Sequence, residues 1–153
     1  MSKKEWGNAT WNLFHTLAEK INEEYFLDNK IEFFSIINII CKNLPCPECA
    51  EDSNAILKTA NLSNINSKQD LQDFFFQFHN KVNAKLKKPI FNSDELIKYK
   101  LAITVKIIQN FLNIYFKRRY NEKLLIQSFS VNKVETQIKN FLINLINNNN
   151  LSN

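Results

Sequence analysis

The stretch Leu44-Pro45-Cys46-Pro47-Glu48-Cys49-Ala50 decides how this chain divides. A long apolar segment runs up to it and stops, because the residue ahead of a proline is pushed out of the helical region. A new helical pattern begins at Pro47, whose fixed φ suits a first helical turn. If Cys46 takes the cap position, Cys49 falls in that same turn, where unpaired backbone N–H groups favour a thiolate. Two cysteines separated by two residues can also close a single disulfide. The pair is a candidate reactive centre, and its neighbours on both sides must supply a setting for it.

Working back from it, residues 30–43 read as a helix. Ile31, Phe33, Phe34, Ile36, Ile37, Ile39, Ile40 and Cys41 give it a broad apolar surface, and Glu32, Ser35, Asn38 and Lys42 a narrow wet one. Residues 6–24 form another, with Trp6, Ala9, Leu13, Phe14, Leu17, Ala18 and Ile21 recurring at helical spacing. Trp11 and His15 stand four apart, one above the other on a single face. Gly7, the only glycine, lies one turn before Trp11. A missing side chain there either lets a flat ligand approach the backbone or permits a close helix crossing.

Working forward, residues 47–59 continue the helix that starts at the pair, and 61–69 read as a polar loop. Residues 70–87 form the next helix, carrying Leu71, Phe74, Phe75, Phe78, Val82 and Leu86, with Ser67 and Asp70 at capping-box spacing. His79, Asn80 and Asn83 are polar groups among apolar neighbours; buried amides and an imidazole need partners, and the cluster invites a bound polar ligand. Pro89 ends this helix. Asn92-Ser93-Asp94-Glu95 starts a long one, expected over 94–118, that closes the bundle and offers a face to another subunit. Lys117-Arg118-Arg119 reads as a solvated helix end, or as an anion or partner surface. Residues 120–132 are less regular, and 133–147 give a last amphipathic segment with Val134, Ile138, Phe141, Leu142 and Leu145 on one side.

Composition agrees with this pattern. Apolar residues make up 44% of 153, with 13 Phe, while one Gly and three Pro leave few places for tight turns. The expectation is an all-α fold. A net charge of +5 suits an anionic cofactor or a nucleic-acid surface without choosing between them. Because there is no aromatic-basic repeat and no zinc-finger spacing, no nucleic acid is expected as a partner. No run has signal-peptide or membrane-spanning character, so a soluble chain without stable membrane insertion, outside the ordinary secretory route, is expected. Three Cys are too few for a disulfide scaffold and point to redox chemistry or metal binding in a reducing compartment.

Four readings of Cys46 and Cys49 are open on these grounds. A zinc site in a helical interaction or virion-assembly module would need further ligands from Cys41, His15 and His79. A thioredoxin-like motif would need a preceding strand that the pattern does not offer. The third reading is a pair of inert buried thiols, and the fourth is thiol oxidation through a flavin.

Three separated elements favour the fourth. They are Trp6-Gly7-Asn8-Ala9-Thr10-Trp11-Asn12-Leu13-Phe14-His15, then Cys46-Pro47-Glu48-Cys49, then His79-Asn80-Lys81-Val82-Asn83-Ala84-Lys85-Leu86-Lys87-Lys88-Pro89. In this order and at these spacings the chain resembles the Erv/ALR family of FAD-dependent sulfhydryl oxidases over about residues 6–92, most like the compact versions of large nucleocytoplasmic DNA viruses. The resemblance implies a four-helix bundle plus a fifth helix, non-covalent FAD, and a homodimer.

A domain over 1–120 is expected to carry it; residues 121–153 fall outside the resemblance, and their amphipathic pattern alone gives the expectation of a C-terminal extension that is helical and packs on the domain or forms an interface. Gly7, Trp11, His15, Cys49, His79, Asn80, Val82, Asn83 and Lys88 would bind the cofactor. Cys46 would meet incoming thiols, and Cys49 would pass two electrons to the flavin and on to molecular oxygen, giving hydrogen peroxide. No metal is expected.

Two departures bear on partners. Asn8 stands where family members often have Arg, and Lys88-Pro89-Ile90-Phe91-Asn92-Ser93 lacks the cysteine that many carry. With no second cysteine pair near either end, the implied partner is a cysteine-containing substrate protein, oxidised directly, or a thioredoxin-like carrier. The implied location is host cytoplasm at viral replication sites and the virion, with the mitochondrial intermembrane space as the cellular alternative. Cys41 is expected to pack in its helix, with an intersubunit disulfide or exchange with Cys46 as lesser roles.

Overall fold

The computed structural model describes residues 3–117 and 128–153. Its described elements are α1 (Lys3–Lys20), α2 (Glu23–Asp28), α3 (Lys30–Lys42), α4 (Pro47–Lys58), α5 (Lys68–Lys85), α6 (Ile97–Lys100), α7 (Thr104–Lys117) and α8 (Ser128–Asn147), with short 3₁₀ turns at Leu62–Asn64 and Ser93–Leu96. The fold is all-α; the one β feature among the described residues is an isolated bridge between Ile21 and Leu151.

Helices α1, α3, α4 and α5 form the bundle, and α7 lies along α1. Leu13, Phe14, Leu17, Phe33, Ile37, Ile40, Leu71, Phe75 and Phe78 fill its interior, as the helical spacing predicts. Phe14 stacks on Phe75 at 5.2 Å, and Phe33 meets Phe26 edge-on at 5.3 Å. Each of these ring pairs adds about 1 kcal/mol beyond burial. The expected helix over 6–24 is interrupted at Ile21-Asn22, where the Asn22 side chain caps α2 by accepting from Tyr25 N–H at 2.9 Å. Ile31, counted among the apolar surface of α3, is 80% exposed at that helix's first turn.

The capping at Ser67 is half of the expected box. Ser67 Oγ accepts from Asp70 N–H at 3.0 Å, but the Asp70 carboxylate accepts from Asn66 N–H at 2.9 Å instead of from Ser67. A full box forms at Asn92 and Glu95, although it opens a 3₁₀ turn and not an α-helix.

The expected continuous helix over 94–118 is divided between α6 and α7. In an unbroken helix the Lys100 carbonyl would accept from Thr104 N–H. Here it accepts instead from Lys20 Nζ of α1 at 2.7 Å, while Thr104 Oγ1 donates to the Ser152 carbonyl at 2.5 Å. Ile108, Phe111 and Tyr115 of α7 are buried, and Tyr115 donates its hydroxyl to the Ile40 carbonyl at 2.8 Å. Ile97 and Leu101 stay 64% and 82% exposed.

Helix α8 packs on α3 and α7, burying Ile138, Phe141, Leu142 and Leu145. It starts earlier than the apolar pattern suggests, at Ser128. Arg118 and Arg119 of the basic cluster lie outside the described residues, as do residues 120–127. No described helix is long and apolar enough to cross a membrane.

Candidate functional site

Cys46 occupies the N-cap of α4 in extended conformation, with Pro47 in the first turn, and its Sγ accepts from Cys49 N–H at 3.2 Å. The sequence-level placement of the pair is therefore the structural one. Cys46 and Cys49 form a disulfide with Cα atoms 5.2 Å apart. Both are partly exposed, but only Cys49 opens onto a cavity of about 460 Å³ between α1, the end of α3, α4 and α5.

That cavity collects Gly7, Trp11, Cys49, His79, Val82, Asn83 and Lys88 on one wall or another. Its volume lies within the usual range of about 300–1,000 Å³ for a small-molecule or cofactor site. A Cβ built on Gly7 would meet no heavy atom within 4 Å, so no helix crosses there, and the glycine widens the cavity wall. Trp11 and His79 stack with centroids 4.2 Å apart and planes 8° from parallel. Flat rings, the Asn83 amide, the Lys88 ammonium and a sulfur on a shared cavity suit a flat, partly apolar, anionic ligand; the donor set fits FAD.

His15 and Asn80 stand behind this wall. His15 is buried, and its Nε2 lies 2.9 Å from His79 Nδ1, so one ring donates and the other accepts. Burial, followed by the nearby charges of His79 and Lys98, pushes the His15 pKa down to about 3. His79 is pushed down to about 4 by burial and then by Lys98 and Lys88. Both imidazoles are neutral at physiological pH. Asn80 holds the Phe91 main chain from both sides, donating to its carbonyl at 3.1 Å and accepting from its N–H at 2.7 Å. Asn83 donates to the Pro89 carbonyl at 3.3 Å. Together the two amides fold residues 86–91 back over α5, which brings Lys88 to the cavity.

Several participants were not singled out from sequence. Phe91 stacks on His79 at 4.5 Å, and Tyr99 on His15 at 4.9 Å. Lys98 Nζ lies 5.2 Å from the Tyr99 ring centre. Phe91 follows Lys88-Pro89 closely enough to be suspected, whereas Tyr99 was counted into a longer helix that the structure breaks. Cys41 is 1% exposed, touches the same cavity, and has its thiol pushed up to about 12 by burial. Its position inside the bundle opposes an intersubunit disulfide. Among the described residues, no group of three His, Cys, Asp or Glu side chains is arranged to hold a metal. A larger groove of about 1020 Å³ lies between the α2–α3 corner and α8, but no cysteine or histidine lines it.

Comparison with known proteins points the same way. The Erv1 / Alr family model matches residues 8–102. The chain is 38% identical over 87 residues to the putative FAD-linked sulfhydryl oxidase 096R of Invertebrate iridescent virus 3, covering 56% of this chain and 59% of that protein. It is 36% identical over 91 residues to the FAD-linked sulfhydryl oxidase ERV1 of Oryza sativa, covering 60% of this chain and 46% of that one. Against the FAD-linked sulfhydryl oxidase of an African swine fever virus isolate from warthog, identity is 31% over 90 residues, 59% of this chain and 75% of the relative. The chain thus spans about half the length of the first two relatives and three quarters of the third. With the family match extending over more than half of the chain and taking in most of the cavity lining, the disulfide and the stacked rings, the chain belongs to the Erv1 / Alr family.

Proposed function

We propose that this chain is an FAD-linked sulfhydryl oxidase that makes disulfides in a partner protein. One observation carries the reading: Cys49, one sulfur of the Cys46–Cys49 disulfide, lines the same cavity as Trp11, His79, Asn83 and Lys88. A substrate thiolate attacks Cys46 Sγ, the sulfur that does not line the cavity, forming a mixed disulfide and releasing Cys49 as thiolate. The first turn of α4 favours that thiolate through its backbone N–H groups. A second substrate thiol then displaces Cys46, leaving the substrate disulfide-bonded and the enzyme as a dithiol.

Trp11, His79, Val82, Asn83 and Lys88 would hold the cofactor in the cavity that Cys49 also lines. Lys88 neutralises phosphate, and Gly7 leaves room beside Trp11. His15 and Asn80 act from behind, His15 by fixing the plane of His79 and Asn80 by holding the turn that carries Lys88. When bound, FAD would supply a two-electron acceptor that can be reoxidised by molecular oxygen to give hydrogen peroxide.

The partner is a cysteine-containing client or a thioredoxin-like carrier, and the active form a homodimer. The similar proteins include ones from viruses and yeast ones named mitochondrial; host cytoplasm and virion, or the mitochondrial intermembrane space, are the locations proposed. The test is direct. Purified protein should show a flavin absorption band and consume oxygen with dithiothreitol, releasing one peroxide per dithiol. Folded, colourless protein that cannot take up FAD would overturn the reading.

A further inference from the structure

Lys20, in the last turn of α1, is 6% exposed. A buried ammonium is costly unless its protons are used, and here they are used by main-chain oxygens. Nζ donates to Lys100 O at 2.7 Å and to Asn153 O at 2.8 Å. Segment 150–153 is bonded to the same corner from the other side. Ser152 N–H donates to Lys20 O at 2.9 Å, Asn22 N–H donates to Asn150 O at 2.8 Å, and buried Thr104 donates to Ser152 O. The end of α1, the start of α2, the end of α6 and the start of α7 are therefore tied through one short segment.

Tyr99 precedes Lys100 on α6. Its ring lies against His15, and its hydroxyl donates to Asn12 Oδ1 at 3.3 Å. His15 in turn fixes His79 in the cavity wall. Thr104 and residues 150–153 fall beyond the span shared with the family model, so Lys20 and Asn22, inside that span, are fastened here to partners outside it.

We infer that Lys20 and residues 150–153 form a clamp that positions Tyr99 behind the His15–His79 pair, and so sets how tightly the cavity holds its flavin; this rests on the proposed function. Lys20 is a positioning residue, acting through Lys100 and Tyr99. Neither it nor the segment touches the cavity.

The test compares the wild type with Lys20→Met, Lys20→Arg, a chain ending at Asn149, and Leu142→Ala. FAD dissociation constants are measured well below each melting temperature, and amide exchange over 97–104 is measured in FAD-free protein. Lys20→Met and the shortened chain should bind FAD about tenfold more weakly and exchange faster over 97–104. Lys20→Arg should restore both. Leu142→Ala destabilises α8 packing without removing a clamp bond and should keep wild-type FAD affinity.

The inference is overturned if both clamp variants keep wild-type affinity and exchange, or if Leu142→Ala loses as much affinity as they do. A wild type that takes up no FAD would end the functional reading instead. The clamp would then stand or fall on exchange alone, upheld by faster exchange in Lys20→Met and overturned by no change.

Discussion

At the scale of single residues, the two sulfurs of the disulfide are set apart by what each faces. Cys49→Ser leaves the rings, amides and Lys88 of the cavity in place, so FAD should remain bound while dithiol-driven oxygen consumption falls at least a hundredfold. Retained oxygen consumption would reject the role given to Cys49. Cys41 differs from both. Its thiol is pushed up to about 12 by burial, so almost none of it is thiolate near neutrality. Cys41→Ala should therefore retain turnover while costing about 1 kcal/mol of stability through lost packing.

The two histidines carry the pH dependence. Their folded pKa values, about 3 and about 4, lie below the unfolded value of 6.5, so between pH 6.5 and 4 the unfolded chain takes up protons that the folded one refuses. Stability contributed by this pair is complete above pH 6.5 and is lost as pH falls through that window. The loss should be on the order of 3 kcal/mol after discounting for solvent reaching His79. Denaturant unfolding at pH 7 and pH 4.5 should show it, and a His15→Asn/His79→Asn double variant should lose less over the same interval.

At the scale of elements, the sequence was read well where local rules govern and poorly where a distant group intervenes. The boundary at Pro45–Pro47, the N-cap at Cys46, the cap at Ser67 and the start at Asn92 are all properties of adjacent residues. The division of α6 from α7 is not. At that break an ammonium 80 residues away donates to the Lys100 carbonyl, and no periodicity announces such a contact. Trp11, His79, Asn83 and Lys88 were grouped by the family resemblance and not by a local rule, and they line one cavity; the Tyr99 stack on His15 is signalled by neither.

The turn after α5 offers a local test. Lys87 has φ of 56°, in the left-handed region that a side chain disfavours by about 1 kcal/mol. Lys87→Gly should remove that strain and raise the melting temperature by roughly 3 °C, the shift expected for about 1 kcal/mol in a chain of this size. Asn80→Ala should act in the opposite sense. It removes two hydrogen bonds to Phe91, costing roughly 2 kcal/mol, and weakens FAD binding by loosening the turn that presents Lys88.

At the scale of the whole molecule, the question is whether the bundle holding the cavity can stand without α8. Leu142, with no exposed surface, and Ile138 and Leu145 sit in the same apolar cluster as Phe33, Ile37 and Phe111. Phe141 meets Phe33 edge-on at 6.2 Å. An added interface module would leave a finished core beneath it; here α3 and α7 would be left with bare apolar surface if α8 were absent. We therefore expect a chain ending at residue 120 to lose folding itself, with exposed hydrophobic surface and aggregation, and not merely to lose self-association. Leu142→Ala gives the graded version, with an expected cost of roughly 3 kcal/mol and a melting temperature lower by roughly 10 °C. Chemical and thermal denaturation followed by tryptophan fluorescence measure the two, since Trp6 and Trp11 lie on α1 at the cavity, far along the chain from the change. A soluble, cooperatively folded 1–120 chain with unaltered FAD affinity would show instead that α8 is an accessory to a self-sufficient bundle.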